Sequence, residues 1–314
     1  MERPYVEWVR VEQYRCVRSA DLHLTPLHAL IGPNDSGKSS LLRAIQTNHR
    51  TSWISNGVVF RTGYERAWGT YPAISRGTPL KPADLNAAEQ AREAVVLRLD
   101  PDDLRKPAPL FSKDQPLWFR NERGQGLPAL YDALLSRDIP AFLAIAKRFT
   151  ELFPTVKALR MVNPDERHKT LGLTLTDGTE VGPDAMSEGM LYWLAFAVIE
   201  YLRPVGILLI EEPENGLHPS RIAEVMRILR DVSKRTQVVM ATHSPLIINE
   251  LQPEEVTIVT RTPEAGTICT PMTATKNFAE RAKIYALGEL WLSYADGDLE
   301  RELVSGAPSA AKAG

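Results

Sequence analysis

"LIGPNDSGKSSLLRAI", residues 30–45, leaves a short apolar run and then lays down Gly32, Pro33, Asn34, Asp35, Ser36 and Gly37 with little side-chain bulk. It places Lys38 and resumes helical spacing through Leu41, Leu42 and Ile45. Bare backbone beside one cation suits a chain of phosphates. Backbone N–H groups ring the oxygens, the helix start adds partial positive charge, the lysine reaches the terminal groups, and the next hydroxyl ligates a divalent cation. Gly32 to Ser39 satisfies G-x-x-x-x-G-K-[ST] at every fixed position, after an apolar strand and before a helix, the order such a loop requires. Gly32, Asn34, Asp35, Ser36, Gly37, Lys38, Ser39 and Ser40 are therefore the expected nucleotide contacts, with Ser39 on Mg2+. Guanine-specific enzymes usually carry an N-K-x-D stretch to read the base edge; the chain has none, so ATP is the expected nucleotide.

The rest of the composition narrows the class. The chain has 314 residues, 44% of them hydrophobic, and a net charge of −2, which excludes a uniformly basic nucleic-acid binder and leaves room for a local basic face. Cys16 and Cys269 stand far apart with no C-x-x-C spacing, so neither a disulfide framework nor a zinc site is expected, and a reducing, cytoplasmic setting is. No leader opens the chain, and the longest apolar stretch, "LYWLAFAVI", is too short to span a bilayer; no membrane partner is expected.

Along the chain, "YVEWVRV", "SADLHL" and "HALI" predict strands ahead of the glycine loop, and "SLLRAIQT" predicts the helix after it. Residues 48–127 are rich in Gly, Pro, Arg and Asn around one strand candidate, "EAVVLRLD". Residues 128–153 read as helix broken near Asp138 and Pro140, and "TVKALRMV" and "KTLGLTLTDGTEV" as strands with a turn at Asp177 and Gly178. A nearly all-apolar helix runs from Ser187 to Tyr201. After it the short apolar runs "ILLI" and "QVVMA" flank the amphipathic "SRIAEVMRILRDV", an alternation that predicts an α/β core with a parallel sheet. There is no internal repeat and no long heptad arm.

"GILLIEEPENGLHPS", residues 206–220, drives a buried strand straight into Glu211 and Glu212. Two carboxylates at the mouth of a core are costly unless a cation or a reacting water uses them. Taken in order, "GPNDSGKSS", "MSEGM" (186–190), "LLIEEPENGLHP" and "ATHSP" (241–245) strongly resemble the ABC-type ATPase heads of the RecF, SMC and overcoming-lysogenization-defect (OLD) group. The resemblance covers roughly residues 4–260. The expected fold is an α/β P-loop NTPase of ABC-ATPase head type, with a mixed central sheet, an antiparallel β part and a helical lobe. It occupies residues 1–270, with insertion and lobe at about 48–185, followed by a 271–314 tail.

The resemblance implies roles. Glu211 falls where the family's magnesium-associated acid sits, and Glu212 where the catalytic carboxylate polarises the attacking water. His243 matches the switch histidine at the γ-phosphate, and Glu214 to His218 the loop that touches the partner subunit. Ser187 and Gly189 hold the signature positions. Ser187 is also a good N-cap for the apolar helix, whose positive end faces outward and in the family closes over the γ-phosphate held by a second subunit. A homodimer or higher even-numbered oligomer, assembled around ATP, follows. Arg15, after Tyr14, resembles the "F-R" near the start of such heads and is a candidate phosphate contact.

The pattern departs from transporter subunits. Glu188 and Met190 stand where a transporter signature has Gly and Gln, and the acidic residue resembles stand-alone antiphage-defence ATPases. Gln46, Gln90 and Gln115 are the candidates for the Q-loop glutamine. A cytosolic ATPase switch in defence or DNA repair is the leading reading, ahead of a non-hydrolysing scaffold and a transporter subunit. Arg43, Arg50, Arg61 and Arg66, interleaved with Trp53, Phe60, Tyr64 and Trp68, fit either a DNA-facing patch or a solvated arginine face. OLD-type proteins continue into a TOPRIM nuclease. The tail here is short and its "DGD" at Asp296–Asp298 reads as a turn, so no nuclease in cis is expected. A separate effector, a nuclease among the candidates, is expected to dock around Trp291 and Tyr294.

Overall fold

A computed structural model of the chain describes residues 6–47, 51–55, 58–61 and 93–295. The fold divides into two compact units, one of Met1–Val96, Val205–Glu214 and Ser233–Gly314, the other of Leu97–Pro204 and Asn215–Val232.

The first unit contains two sheets. Strands β1 (Val6–Tyr14), β2 (Val17–His23), β4 (Thr51–Ser55) and β5 (Val58–Arg61) form an antiparallel sheet in the order β2-β1-β4-β5. Strands β3 (Leu27–Ile31), β6 (Ala94–Leu97), β11 (Ile207–Glu211), β12 (Gln237–Thr242), β13 (Val256–Thr262) and β14 (Gly266–Pro271) form the second, ordered β14-β13-β3-β12-β11-β6. In it β11, β12, β3 and β13 run parallel and β14 returns antiparallel on β13. The burial patterns explain the difference. β3, β11 and β12 are buried at every position, as unbroken apolar runs are in a parallel sheet covered on both faces, whereas β2 alternates, as a one-sided antiparallel strand does.

Helix α1 (Lys38–Thr47) fills the space the two sheets leave. Its Leu41, Leu42 and Ile45 share one core with Val9, Val11 and Leu22 of the antiparallel sheet and Leu209 and Val239 of the parallel one. Gln237, buried at the start of β12, ties the sheets together: its Oε1 accepts the Val6 N–H at 2.8 Å and its Nε2 donates to the Val6 carbonyl at 2.8 Å. A buried amide so satisfied fixes register as well as position.

The second unit is the helical lobe. Strands β7 (Ala108–Pro109), β8 (Val156–Val162), β9 (His168–Leu175) and β10 (Glu180–Val181) make a small antiparallel sheet around β9. Helix α2 (Pro101–Arg105) is capped by Asp100, and the long helical stretch breaks where expected: α3 (Leu127–Arg137) ends at Asp138, whose carboxylate caps α4 (Ile139–Leu152) with Pro140 in its first turn. Helix α5 (Glu188–Ile199) is buried from Leu191 to Ile199 and packs Trp193 against Phe149, ring centroids 5.7 Å apart; Tyr131 donates its hydroxyl to the Leu194 carbonyl at 2.9 Å. Helix α6 (Pro219–Ser233) completes the lobe.

The described residues from 271 onward group with the first unit. Helix α7 (Pro245–Asn249) follows His243, and after α8 (Phe278–Arg281) the chain returns as α9 (Leu287–Ala295), whose Gly288 N–H donates to Asn249 Oδ1 at 2.8 Å. Trp291 is only 5% exposed, committed to the chain's own packing and not available to an effector. The Tyr294 side chain and Asp296–Asp298 lie outside the described residues. Among the described residues no helix is long and apolar enough to cross a membrane.

Two substitutions test this packing. His28, buried on β3 between the hydroxyls of Thr25 and Thr257 at 3.1 and 3.0 Å, has its pKa lowered from 6.5 to about 4 by burial, with Glu255 opposing and His23 adding to the fall. The unfolded chain takes up this proton below about pH 6.5 and the folded one only near 4, so its contribution is intact at neutral pH and lost as pH falls through that window. At about 1.4 kcal/mol per pH unit this amounts to about 3 kcal/mol. Denaturant titrations from pH 7 to 4.5 should show His28→Asn lacking this part of the wild-type acid dependence. A Cβ at Gly32 would run into the Val259 carbonyl oxygen, a backbone atom that cannot swing away, whereas one at Gly182 meets nothing within 4 Å. Gly32→Ala should cost about 2 kcal/mol or more and Gly182→Ala less than about 0.5, read from unfolding midpoints.

Candidate nucleotide site

The loop from Gly32 to Gly37 is held tightly from behind. Asp35 at φ 63° and Gly37 at φ 106° turn it through the left-handed region, and a Cβ at Gly37 would collide with the Thr267 hydroxyl. Thr267, on β14, donates its hydroxyl to the Ser36 carbonyl at 3.0 Å. Ser36 itself faces inward, 1% exposed, its Oγ without a hydrogen-bond partner among the described residues. Cys16 donates its thiol to Ser40 Oγ at 3.3 Å.

In front of the loop lies a cleft of about 530 Å³, lined by Asn34, Asp35, Gly37, Lys38, Ser39 and Ser40 and, from the strand ends, Glu211, Glu212 and Ala241. That volume lies within the range of small-molecule sites. Lys38 Nζ donates to the carbonyls of Gly32 at 2.7 Å and Pro33 at 2.8 Å. Burial lowers the lysine's pKa from its usual value, opposed by the charges of Glu212, Glu214 and Asp35. An anionic chain of phosphates in the same cleft adds negative charge and favours the cation further.

Glu211 closes β11 with its carboxylate 6% exposed. Oε2 accepts the Ser39 hydroxyl at 3.2 Å, and Oε1 lies 3.4 Å from Arg43 Nε, one helical turn after Ser39 on α1. A hydroxyl facing a carboxylate at the mouth of an anion cradle is the hard-oxygen donor set that Mg2+ accepts while keeping several waters and substrate oxygens, so Ser39 and Glu211 fit that ion. Glu212, the next residue, sits at φ 51°, a strained conformation for glutamate held by its N–H bond to the Ala241 carbonyl at 2.8 Å. The strain keeps its side chain in the cleft instead of continuing the strand.

His243 follows β12, half-exposed, with its backbone N–H donating to Glu214 Oε1 at 3.1 Å. Glu214, the first residue of the segment expected to touch a partner subunit, turns its side chain inward. The signature segment forms a separate surface within the helical lobe. Ser187 caps α5 through its Oγ, which accepts the Met190 N–H at 3.3 Å, and lines a pocket with Gly189, Gly216, His218 and Arg221.

The remaining candidates fall elsewhere. Arg15 is exposed in the turn after β1, its guanidinium over the Tyr14 ring at 5.4 Å, and it does not line the cleft. Arg43 is engaged with Glu211 and with Gln46 Oε1 at 3.2 Å, which withdraws it from a DNA-facing patch. The side chains of Trp53, Phe60 and Arg61, and all of Arg50, Tyr64, Arg66, Trp68 and Gln90, lie outside the described residues. Gln115 accepts from the Ser112 N–H in a surface turn. Cys16 and Arg261 line the cleft without having been singled out in the sequence. β13 and the β1–β2 turn bring them there, and no local motif marks them. Arg43 carried a readable signal, its spacing of four from Ser39, which puts both on one face of α1.

Comparisons with known proteins agree with this geometry. Residues 5–84 match the family described as "AAA ATPase domain", and residues 119–249 the family described as "AAA domain, putative AbiEii toxin, Type IV TA system". The OLD nuclease of Thermus scotoductus is 22% identical over 309 residues, an alignment covering 76% of this chain. The chain spans 58% of that relative's length. Among solved structures, an SMC head bound to the C-winged helix domain of ScpA superposes with a TM-score of 0.53 at 14% identity, covering 85% of this chain and 97% of that one. The SMC head domain of Thermotoga maritima gives 0.50 at 13% identity, covering 85% and 98%. The Pyrococcus furiosus SMC head bound to the C-terminal domain of ScpA gives 0.50 at 13% identity, covering 89% and 100%. Loop and cleft agree with the solved structures on the fold of an SMC head domain, and the chain is similar in sequence to AAA ATPase domains and to an OLD nuclease.

Proposed function

We propose that the chain is a cytoplasmic, Mg2+-dependent ATPase switch. It binds ATP, closes head-to-tail on a second copy, hydrolyses the nucleotide and hands the change of shape to a separate effector in antiphage defence or DNA repair. The observation that carries the hydrolytic part is the gathering of Lys38, Ser39, Glu211 and Glu212 in one cleft. Lys38 would neutralise the terminal phosphates. Ser39 and Glu211 would hold Mg2+, which when bound offsets charge that develops in the transition state. Glu212, at the cleft wall, would orient and polarise the attacking water.

Dimerisation is supported by the signature segment. The capped start of α5 leaves backbone N–H groups and a positive helix end on the surface around Ser187, an anion site in the making that its own unit does not use. In a head-to-tail pair it would close over the partner's terminal phosphate. The effector role is supported by the similarity to a relative called a nuclease.

Glu212→Gln tests the reading. Turnover should fall by about a hundredfold or more, the scale of a lost general base, while ATP-dependent dimers seen by light scattering persist or strengthen. Turnover unchanged by the substitution would remove the assigned chemistry, and absence of any hydrolysis in the wild type with DNA and effector present would favour nucleotide as structural glue.

A further inference from the structure

Glu214 has more contacts than a loop residue needs. Its side chain is 10% exposed. Oε1 accepts the Thr242 hydroxyl at 2.7 Å and the His243 backbone N–H at 3.1 Å, and the Ser244 N–H in turn donates to Thr242 Oγ1 at 2.9 Å. A carboxylate from the turn after β11 thus organises Thr242, His243 and Ser244 at the end of β12. The same Oε1 lies 3.7 Å from His243 Nδ1, just beyond hydrogen-bonding distance. Its other oxygen, Oε2, is buried and has no hydrogen-bond partner among the described residues. An acceptor left over on a buried carboxylate is unusual enough to require a use. The imidazole Nδ1 faces this carboxylate from the Oε1 side, and a modest turn of the half-exposed ring would bring it within hydrogen-bonding distance.

We propose that Glu214 is the positioning residue of His243: it keeps a proton on Nδ1, directed at the carboxylate, and so makes Nε2 the ring nitrogen that faces the nucleotide. A histidine's second nitrogen is set by the hydrogen bond the first one makes. Without an acceptor at Nδ1 the ring is free to rotate and to place its proton on either nitrogen, and its contact with the terminal phosphate becomes one of several states. The proposal deepens the hydrolytic reading above and depends on it for the consequence to turnover, but the link between Glu214 and the imidazole exists with or without hydrolysis.

The test uses the full chain with ring-15N histidine, the His243 signals assigned by loss in His243→Asn. Glu214→Gln is the isosteric variant: its carboxamide oxygen can keep both Oε1 contacts while the negative charge and the second acceptor are gone. In the wild type the 15N shifts should report a protonated Nδ1, and in Glu214→Gln a shift toward the tautomer protonated on Nε2. Steady-state ATPase kinetics should show kcat reduced about tenfold or more, with KM changed by less than about twofold, the signature of lost positioning and not of lost binding. A wild-type His243 with bare Nδ1 would overturn the proposal whether or not the variant folds, as would a variant with unchanged tautomer and unchanged kcat. Failure of the hydrolytic reading shows separately, as turnover insensitive to Glu212→Gln while the tautomer still responds to Glu214.

Discussion

A carboxylate taken out of water must be given partners, and α1 supplies Glu211 with two. Ser39 meets one oxygen and Arg43 approaches the other from the next turn of the same helix. This fixes the rotation of α1 about its axis and, with it, the direction of the backbone N–H groups at its start. The opposite face of the helix carries Leu41, Leu42 and Ile45 into the core shared by the two sheets. Polar and apolar faces thus demand the same placement, and the phosphate loop inherits the outcome.

The loop has little freedom left. Behind Gly32 stands the Val259 carbonyl, behind Gly37 the Thr267 hydroxyl, and the Ser36 carbonyl is tied to β14. The strained backbone of Glu212 belongs to the same economy, because the bond to Ala241 that holds it also ends β11 in register with β12. From there the chain reaches Glu214, which returns to the end of β12 and arranges Thr242 and His243. Loop, acids and histidine form one hydrogen-bonded frame across three neighbouring parallel-sheet strand ends. Ligands of α/β folds commonly meet the protein at such strand ends.

Much of this was legible in the sequence where the interactions are local. Gly32 to Ser39 is a contiguous motif, the apolar runs at 207–210 and 237–241 are too continuous for one-sided strands, and Asp138 with Pro140 announces a helix break. Where partners are distant the sequence was silent or misleading. Arg43 looked like a surface cation because its counter-charge lies 168 residues on, at Glu211. Trp291 looked like a docking residue because an amphipathic helix reveals that one face is buried and not what buries it; here α7 of the same chain does. Thr267 and Cys16 reach the loop through strand pairing, and the hairpin that carries Thr267 shows no motif before its register is known.

The account requires that each reaction centre be assembled from two copies, with the loop supplied by one and the Ser187 helix end by the other. Mixing Lys38→Ala protein, whose loop is disabled, with Ser187→Arg protein, whose helix end is blocked, tests that arrangement most directly. Each variant alone should be inactive. In the mixture, half of the dimers pair unlike copies and hold one intact site of two, so ATPase activity should recover to about a quarter of the wild-type rate per chain. No recovery from two folded, ATP-exposed variants, or full activity of Ser187→Arg by itself, would contradict it.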